Sequence, residues 1–281
     1  MIHDILPHVL NNEFKVADPK PTDFVIRYDG AKTLLKKVDD GYAIPRVGEL
    51  LALEGKTLAD FEGHYLFCID DTAFFLDDSA SAEVPAGYEY MGSRTFRGMN
   101  PVERMGGATA VHIAHWESLN KFCGKCGNVT IRGDRERSIV CPKCGNVVYP
   151  RISPVVIVSV RNGDKLLMAH NIDNPNPRLF LISGFVEIGE SLEQAVHREV
   201  MEEAGLRVKN IRYFGSQPWP FSDSLIAGFT AELDGDDTIR MQQEELSEAM
   251  WVKREDIPEY ETDVSISCCL IENFRRGYTL G

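Results

Sequence analysis

The side chains best suited to chemistry in this chain are four cysteines in two copies of one short pattern. The pattern Cys-x-Lys-Cys-Gly-Asn begins at Cys123 and again at Cys141. Each copy brings two thiolates within reach of one tetrahedral ion, and the glycine permits the positive φ with which the backbone curls around the sulfurs. We therefore predict a four-cysteine zinc ribbon holding a structural zinc ion, with the ligands Cys123, Cys126, Cys141 and Cys144. A pair of redox dithiols is the alternative, but the surrounding sequence lacks its βαβ pattern.

A run of glutamates forms the second reactive group, on a helix that we predict over residues 192–204. Ser191 and Gln194 form a capping box at its start, and Gly205 is a stop signal at its end. An acidic helix is most often a solvated surface, so the position of the glutamates around the helix decides their role.

Helical periodicity places part of this charge on the apolar side of the helix. At about 100° per residue, Glu199 and Glu203 share one seam with Leu192 and Val196. Carboxylates that face the body of a domain repel each other unless a positive charge lies between them. A hard divalent cation with oxygen ligands, Mg²⁺ or Mn²⁺, is therefore predicted at this seam. Arg198 lies off the seam, where it can reach back to Glu190.

Composition and charge exclude several classes of protein. The 281 residues include 30 Lys or Arg and 43 Asp or Glu, for a formal charge of −13, which argues against a protein that coats nucleic acid with its whole surface. Apolar runs of about 18 residues and a signal peptide are missing from the sequence, so we expect a cytoplasmic protein. The odd count of seven cysteines favours metal ligation or burial over a disulfide scaffold, and we expect Cys68, Cys268 and Cys269 to be packing thiols.

The pattern of apolar runs predicts an α+β multidomain protein. Residues 1–118 contain short apolar runs between Gly- and Asp-rich breaks, which predicts a mostly β N-terminal domain; a helix is expected over 111–121. The zinc ribbon follows over 119–150, with a short hairpin. Residues 151–281 form an α/β domain whose continuous run Val155–Val160 is typical of a strand buried on both faces.

The helix and the loop before it carry a family signature. Gly184, Glu190 and the segment Arg198–Leu206 match every defined position of Gx5Ex7REUxEExGU, where U is aliphatic. The chain therefore resembles the Nudix hydrolases. This resemblance implies an α/β/α sandwich that hydrolyses a nucleoside diphosphate linked to another group, with Glu199, Glu202 and Glu203 as metal ligands and catalytic residues, Glu203 foremost.

A second segment narrows the resemblance. The array SQPWPFxxS over residues 216–224, combined with the ribbon upstream, is similar to the NADH pyrophosphatase subfamily over about 119–281. That resemblance implies hydrolysis of NADH and NAD⁺ to nicotinamide mononucleotide and AMP, removal of NAD caps from RNA 5′ ends, zinc in the ribbon and a homodimer.

The same resemblance assigns substrate contacts. Phe185 is expected to stack on the nicotinamide ring, and Glu245, rather than the adjacent Glu244, is expected to join the metal ligands. Further pocket residues are Gln217, Pro218, Trp219, Pro220, Phe221, Ser222, Asp223 and Ser224, with Tyr149 and Ser267 as additional candidates. We expect residues 216–224 to form a proline-stiffened loop; Ser222 stands where the subfamily usually has a third proline.

Two alternatives remain open on sequence grounds. Trp219 and Phe221 could instead pack in the core, which would favour a Nudix enzyme acting on ADP-ribose or another nucleoside diphosphate derivative. The ribbon could be a nucleic-acid-binding module, because residues 119–153 contain seven Lys or Arg against two acidic residues, a formal +5. This charge alone is modest for tight binding, but it could guide an RNA 5′ end.

Overall fold

A computed structural model describes residues 1–79, 84–172, 178–242, 244–262 and 265–277 of the chain. By its internal contacts the chain divides into two compact units. The N-terminal unit contains residues 3–151 together with 220–223, and the C-terminal unit contains residues 1–2, 152–219 and 224–281.

The N-terminal unit begins with two small sheets. Its strands and first helix are β1 (Leu10–Asn11), β2 (Phe24–Arg27), β3 (Thr33–Val38), β4 (Gly41–Ala43), α1 (Val47–Leu53), β5 (Gly63–Ile69), β6 (Thr72–Asp77) and β7 (Tyr88–Met91). One sheet has the strand order β1-β5-β6-β2 and the other has the order β4-β3-β7. The predicted β-rich N-terminal region is confirmed.

A long helix, α2 (Pro101–Leu119), packs against the first of these sheets. It begins ten residues before the predicted start, because Asn100 caps it by accepting a hydrogen bond from the Glu103 N–H and proline is favourable in a first turn. Gly106 and Gly107 look like helix breakers in the sequence, yet a Cβ at Gly106 would lie 2.1 Å from the Phe74 ring. These glycines let the helix backbone approach the core.

The zinc ribbon consists of very short strands. They are β8 (Ile131–Arg132), β9 (Ile139–Val140) and β10 (Val147–Val148), paired antiparallel in the order β10-β9-β8. The predicted hairpin is present as β8 and β9. Ile139 is buried, but Val129, Ile131 and Val147 are exposed, so apolar packing contributes little to the stability of this region.

The C-terminal unit is built on one mixed sheet. Its elements are β11 (Ser153–Asn162), β12 (Lys165–Asn171), β13 (Ile182–Phe185), α3 (Leu192–Ala204), β14 (Val208–Trp219), β15 (Ser224–Leu233), β16 (Leu246–Lys253) and α4 (Ile266–Arg275). The strand order is β14-β15-β11-β12-β16, and β13 also pairs with β11.

The central strand β11 is covered on both faces, as its β-branched run predicts. Val156 and Val158 belong to the same core cluster as Val196 of α3. Ile157, whose side chain points to the opposite face, packs in the cluster that contains Leu270 of α4. The predicted α/β/α sandwich is therefore confirmed. None of the described helices has the length and apolar character needed to cross a membrane.

Candidate active site and zinc ribbon

Local signals fix both ends of α3, the helix that carries the glutamates. The Ser191 hydroxyl accepts a hydrogen bond from the Gln194 N–H, and the Gln194 side chain accepts one from the Ser191 N–H. Gly205 ends the helix in the left-handed region, with φ of 66°. The predicted bounds of 192–204 are confirmed, so the angular positions of the glutamates follow from the sequence.

Two of the glutamates are buried against the sheet. Glu199 is 8% exposed and Glu203 is 6% exposed, whereas Glu202 is exposed. Val196 of the same seam is fully buried. The prediction that the apolar seam continues as carboxylates is confirmed.

Burial and neighbouring negative charges disfavour the ionised form of Glu203. Burial, together with the negative charges of Glu199, Glu245 and Glu202, raises the pKa of Glu203 to about 8. Burial also raises the pKa of Glu199. Each of these influences on Glu203 acts in the same direction, so the ionised carboxylate needs a cation beside it. A divalent ion with oxygen ligands fits this donor set.

Arg198 ties the loop before the helix to the glutamates. Its Nε and Nη2 donate to the two carboxylate oxygens of Glu190 at 2.7 and 2.9 Å, as predicted. Its Nη1 also donates to Glu199 at 2.7 Å and to Glu202 at 3.0 Å. The hydrogen bonds from Arg198 lower the pKa of Glu190 to about 2. Arg198 therefore holds Glu190 ionised and fixes the Glu199 carboxylate, an additional role that the sequence did not indicate.

Gly184 provides the space for the Glu199 carboxylate. It lies in β13, and a Cβ built on it would be 2.1 Å from the Cδ and Oε1 atoms of Glu199. Any side chain at position 184 would therefore displace the carboxylate. The sequence pattern marks this glycine as fixed, but its physical reason becomes visible only in the fold.

Glu245 lies just before β16, and its charge contributes to the raised pKa of both Glu203 and Glu199. The backbone places it there: the Gln242 N–H donates to the Glu203 carbonyl at 3.0 Å, and the Glu245 N–H donates to the Gln242 carbonyl at 3.3 Å. The assignment of Glu245 as a metal ligand stays a prediction that this placement favours.

Residues 216–224 differ from the predicted loop. The segment through Trp219 completes strand β14, Pro220–Ser222 form a 3₁₀ turn, and Ser224 begins β15. Prolines are tolerated here because this strand lies at the edge of the sheet. Trp219 and Phe221 are partly exposed, which does not match the alternative in which both pack in the core.

Gln217 has a structural task in this segment. Its side chain is fully buried, and its Oε1 accepts a hydrogen bond from the Ile266 N–H at 2.6 Å. This contact joins β14 to the first turn of α4. The role of Gln217 in a substrate pocket stays a prediction.

The remaining predicted pocket residues are spread over both units. Phe185 is exposed at the end of β13, and Ser267 is buried in the first turn of α4. Tyr149 belongs to the N-terminal unit, where its hydroxyl donates to Glu136 at 2.8 Å. The C-terminal unit brings Glu199 and Glu203 together.

The four predicted zinc ligands converge. Among the described residues they form the one group of potential metal ligands whose donor atoms all lie within 4.8 Å of one another. The Sγ atoms of Cys123 and Cys144 are 3.6 Å apart, and those of Cys126 and Cys141 are 3.5 Å apart. A tetrahedral zinc ion with Zn–S bonds of about 2.3 Å implies roughly 3.8 Å between sulfurs, so the cluster fits zinc.

Both cysteine pairs have the same backbone conformation. The Gly127 N–H donates to the Cys123 carbonyl at 2.8 Å, and the Gly145 N–H donates to the Cys141 carbonyl at 3.0 Å. These glycines have φ of 70° and 71°, which confirms the predicted turns. Of the other cysteines, Cys68 is buried, and Cys268 packs against the core under α4.

Substitution of Gly184 tests the placement of Glu199. We expect Gly184→Ala to lower kcat by about tenfold to a hundredfold, because the new methyl group displaces the Glu199 carboxylate. The cost in stability should be about 1 to 3 kcal/mol, because the displaced carboxylate is buried and held by Arg198. Gly92→Ala is the matched control, because a Cβ there meets open space. Unchanged turnover in Gly184→Ala would contradict the assignment.

Removal of zinc should unfold the ribbon. We expect elemental analysis to find one zinc ion per chain that survives dialysis, and a strong chelator to lower the melting temperature, because the ribbon strands bury few apolar side chains. Cys126→Ser should lose the metal, whereas Cys269→Ser, outside the cluster, should retain it. A zinc-free protein with an unchanged melting curve would refute the ribbon site.

Two known domain families match this chain. Residues 150–269 match the NUDIX domain, and residues 118–149 match the NADH pyrophosphatase zinc ribbon domain. Among solved structures, the crystal structure of a NUDIX hydrolase from Nitrosomonas europaea is similar to 56% of this chain over 90% of its own, with 26% identity and a TM-score of 0.48.

Two similar proteins from other organisms have the same name. The chain is 42% identical over 163 residues to the NAD-capped RNA hydrolase NudC of Salmonella schwarzengrund, and this match spans 58% of the chain and 63% of the relative. It is 39% identical over 191 residues to the protein of the same name from Mannheimia succiniciproducens, across 65% of the chain and 68% of the relative. The chain therefore belongs to the Nudix family, in the group that carries the NADH pyrophosphatase zinc ribbon.

Proposed function

We propose that this protein hydrolyses the pyrophosphate bond of NADH and NAD⁺, giving nicotinamide mononucleotide and AMP, and that it also removes NAD caps from RNA 5′ ends. The observation that carries the hydrolytic step is the buried pair Glu199 and Glu203 on α3. The choice of substrate is supported by the ribbon directly upstream and by the name of the relatives.

The proposed catalytic metal is Mg²⁺ or Mn²⁺, held by Glu199, Glu202, Glu203 and Glu245. When bound, such an ion supplies the positive charge that the pyrophosphate oxygens and the buried carboxylates both need. The buried, water-poor surroundings of Glu203 strengthen every charge interaction in the site. We assign Glu203 the foremost catalytic role among these carboxylates, because it is buried and the negative charges of Glu199, Glu202 and Glu245 all act on it.

Neighbouring residues of the chain keep the carboxylates in place. Arg198 holds Glu199 from one side, and the missing side chain of Gly184 leaves room for it on the other. Because a displacement of about 1 Å can cost a hundredfold in rate, we propose that both are positioning residues for the hydrolysis.

Exposed aromatic rings supply the proposed recognition of the dinucleotide. Phe185 is half exposed, and Trp219 and Phe221 are partly exposed. Flat, accessible rings suit stacking on nicotinamide or adenine. We keep Gln217, Ser224, Tyr149 and Ser267 as proposed pocket residues on the resemblance alone.

We further propose a cytoplasmic homodimer with three domains, at 1–118, 119–150 and 151–281. The seven cysteines, all among the described residues, form no disulfide, which suits a reducing compartment. Exposed apolar side chains on the ribbon, including Phe122, Val129 and Ile131, are of the kind that a second copy would cover. The meeting of the two family matches between residues 149 and 150 supports the second boundary.

A product assay tests the proposed function. With Mg²⁺ or Mn²⁺ supplied, we expect cleavage of NADH, NAD⁺ and NAD-capped RNA at their pyrophosphate, and slower cleavage of ADP-ribose. Glu203→Gln should lower turnover by about a hundredfold or more. It should leave the melting temperature equal or higher, because the change removes a charge from a repulsive cluster.

The matched control is Glu193→Gln, on the exposed side of the same helix, which should behave as wild type. A preference for ADP-ribose would overturn the substrate assignment and favour the broader Nudix alternative. RNA binding without cleavage of any dinucleotide would favour the ribbon as a nucleic-acid-binding module. Full activity of Glu203→Gln would remove Glu203 from the mechanism.

A further inference from the structure

The 3₁₀ turn over residues 220–222 and the following Asp223 are held by the N-terminal unit, to which all four residues belong. Asp223 has a left-handed backbone, with φ of 52°. A residue other than glycine rarely adopts this conformation, and it persists where surrounding contacts determine it. The Asp223 side chain is contacted by helix α2.

Two histidines of α2 surround the Asp223 carboxylate. Nδ1 of His115 lies 2.9 Å from Oδ2 of Asp223, and because a carboxylate only accepts hydrogen bonds, the imidazole N–H donates. Nε2 of His112 is 3.5 Å from Oδ1 and donates to the Arg151 carbonyl at 2.8 Å. The side chains of His115 and Asp223 are 35% and 20% exposed, so the pair is shielded in part from water.

Further contacts fix the histidine and the turn. The ring of Tyr28 meets the His115 ring edge to face, with centroids 6.5 Å apart, which restricts the imidazole. The guanidinium of Arg97 lies 4.8 Å from the centroid of the Phe221 ring, a distance at which a cation is attracted to an aromatic face. The turn is therefore held at both Phe221 and Asp223.

We propose that His115 is a positioning residue for substrate binding, acting through Asp223 on the turn that carries Phe221. This inference rests on the proposed function, in which residues 217–224 line the dinucleotide pocket. Neither Ser222 nor Asp223 is a proline. The backbone angle φ is therefore not fixed by a pyrrolidine ring where the turn meets β15. The hydrogen bond from α2 supplies the restriction, so the order of this turn affects how tightly the dinucleotide binds.

Steady-state kinetics with NADH test the proposal through the split between KM and kcat. His115→Leu should raise KM by about fivefold or more with kcat within about twofold, because an ordered binding turn contributes equally to ground state and transition state. His115→Asn, whose side-chain amide can donate in place of Nδ1, should bring KM back to within about twofold of wild type. A purely structural role would not show this rescue at unchanged melting temperature.

A second variant isolates the path through Asp223. Asp223→Gly keeps the left-handed backbone and removes the carboxylate, so it should raise KM by itself, and His115→Leu added to it should have no further effect. If His115→Leu folds poorly, Asp223→Gly alone still tests the path through Asp223. The matched control is His8→Leu, which breaks a second histidine pair on a left-handed aspartate, His8 with Asp70 at 2.7 Å, and should leave KM unchanged.

The outcomes separate the two proposals. Wild-type protein that fails to cleave NADH contradicts the proposed function, whatever the variants do. Wild-type cleavage with an unchanged KM in His115→Leu, a lack of rescue by asparagine, or full additivity with Asp223→Gly would each overturn the positioning role.

Discussion

The repulsion between Glu199 and Glu203, buried one helical turn apart on α3, is the constraint on which the rest of the site depends. Burying one carboxylate in a low-dielectric interior is unfavourable, and burying two side by side is more so. Residues in and before the helix compensate part of that charge and make room for it. Arg198 partly neutralises Glu199 while it clamps Glu190, and Gly184 leaves the space that the carboxylate occupies. The negative charge around Glu203 that Arg198 leaves uncompensated is the property on which the proposed binding of a divalent cation rests.

The zinc ribbon lacks an apolar core large enough to stabilise it. Its strands are two residues long and expose much of their apolar surface, so they cannot form a stable core by themselves. Four converging thiolates let a metal ion supply the missing folding free energy. The same unit contains α2, whose histidines reach the turn after β14. The ribbon, α2 and the turn after β14 thus belong to one compact unit.

Predictions from the sequence succeeded where the relevant interactions are local and were incomplete where they are not. The bounds and buried seam of α3 follow from a capping box and helical periodicity, which involve residues within one or two turns. The cysteine cluster follows from spacing. The first ten residues of α2 were missed because Gly106 and Gly107 disfavour a helix locally, while their value lies in the approach to distant Phe74. Burial of Gln217 was also missed, since its partner Ile266 is 49 residues away.

Equilibrium binding of Mn²⁺, followed by the loss of the free-ion electron paramagnetic resonance signal, tests most directly whether the buried carboxylates hold a catalytic cation. The readout needs no turnover and does not detect zinc in the ribbon. The account predicts that wild-type protein binds Mn²⁺ and that Glu199→Gln combined with Glu203→Gln weakens binding by at least about tenfold while the zinc content stays the same. Equal Mn²⁺ affinity in the wild type and the double variant would contradict it.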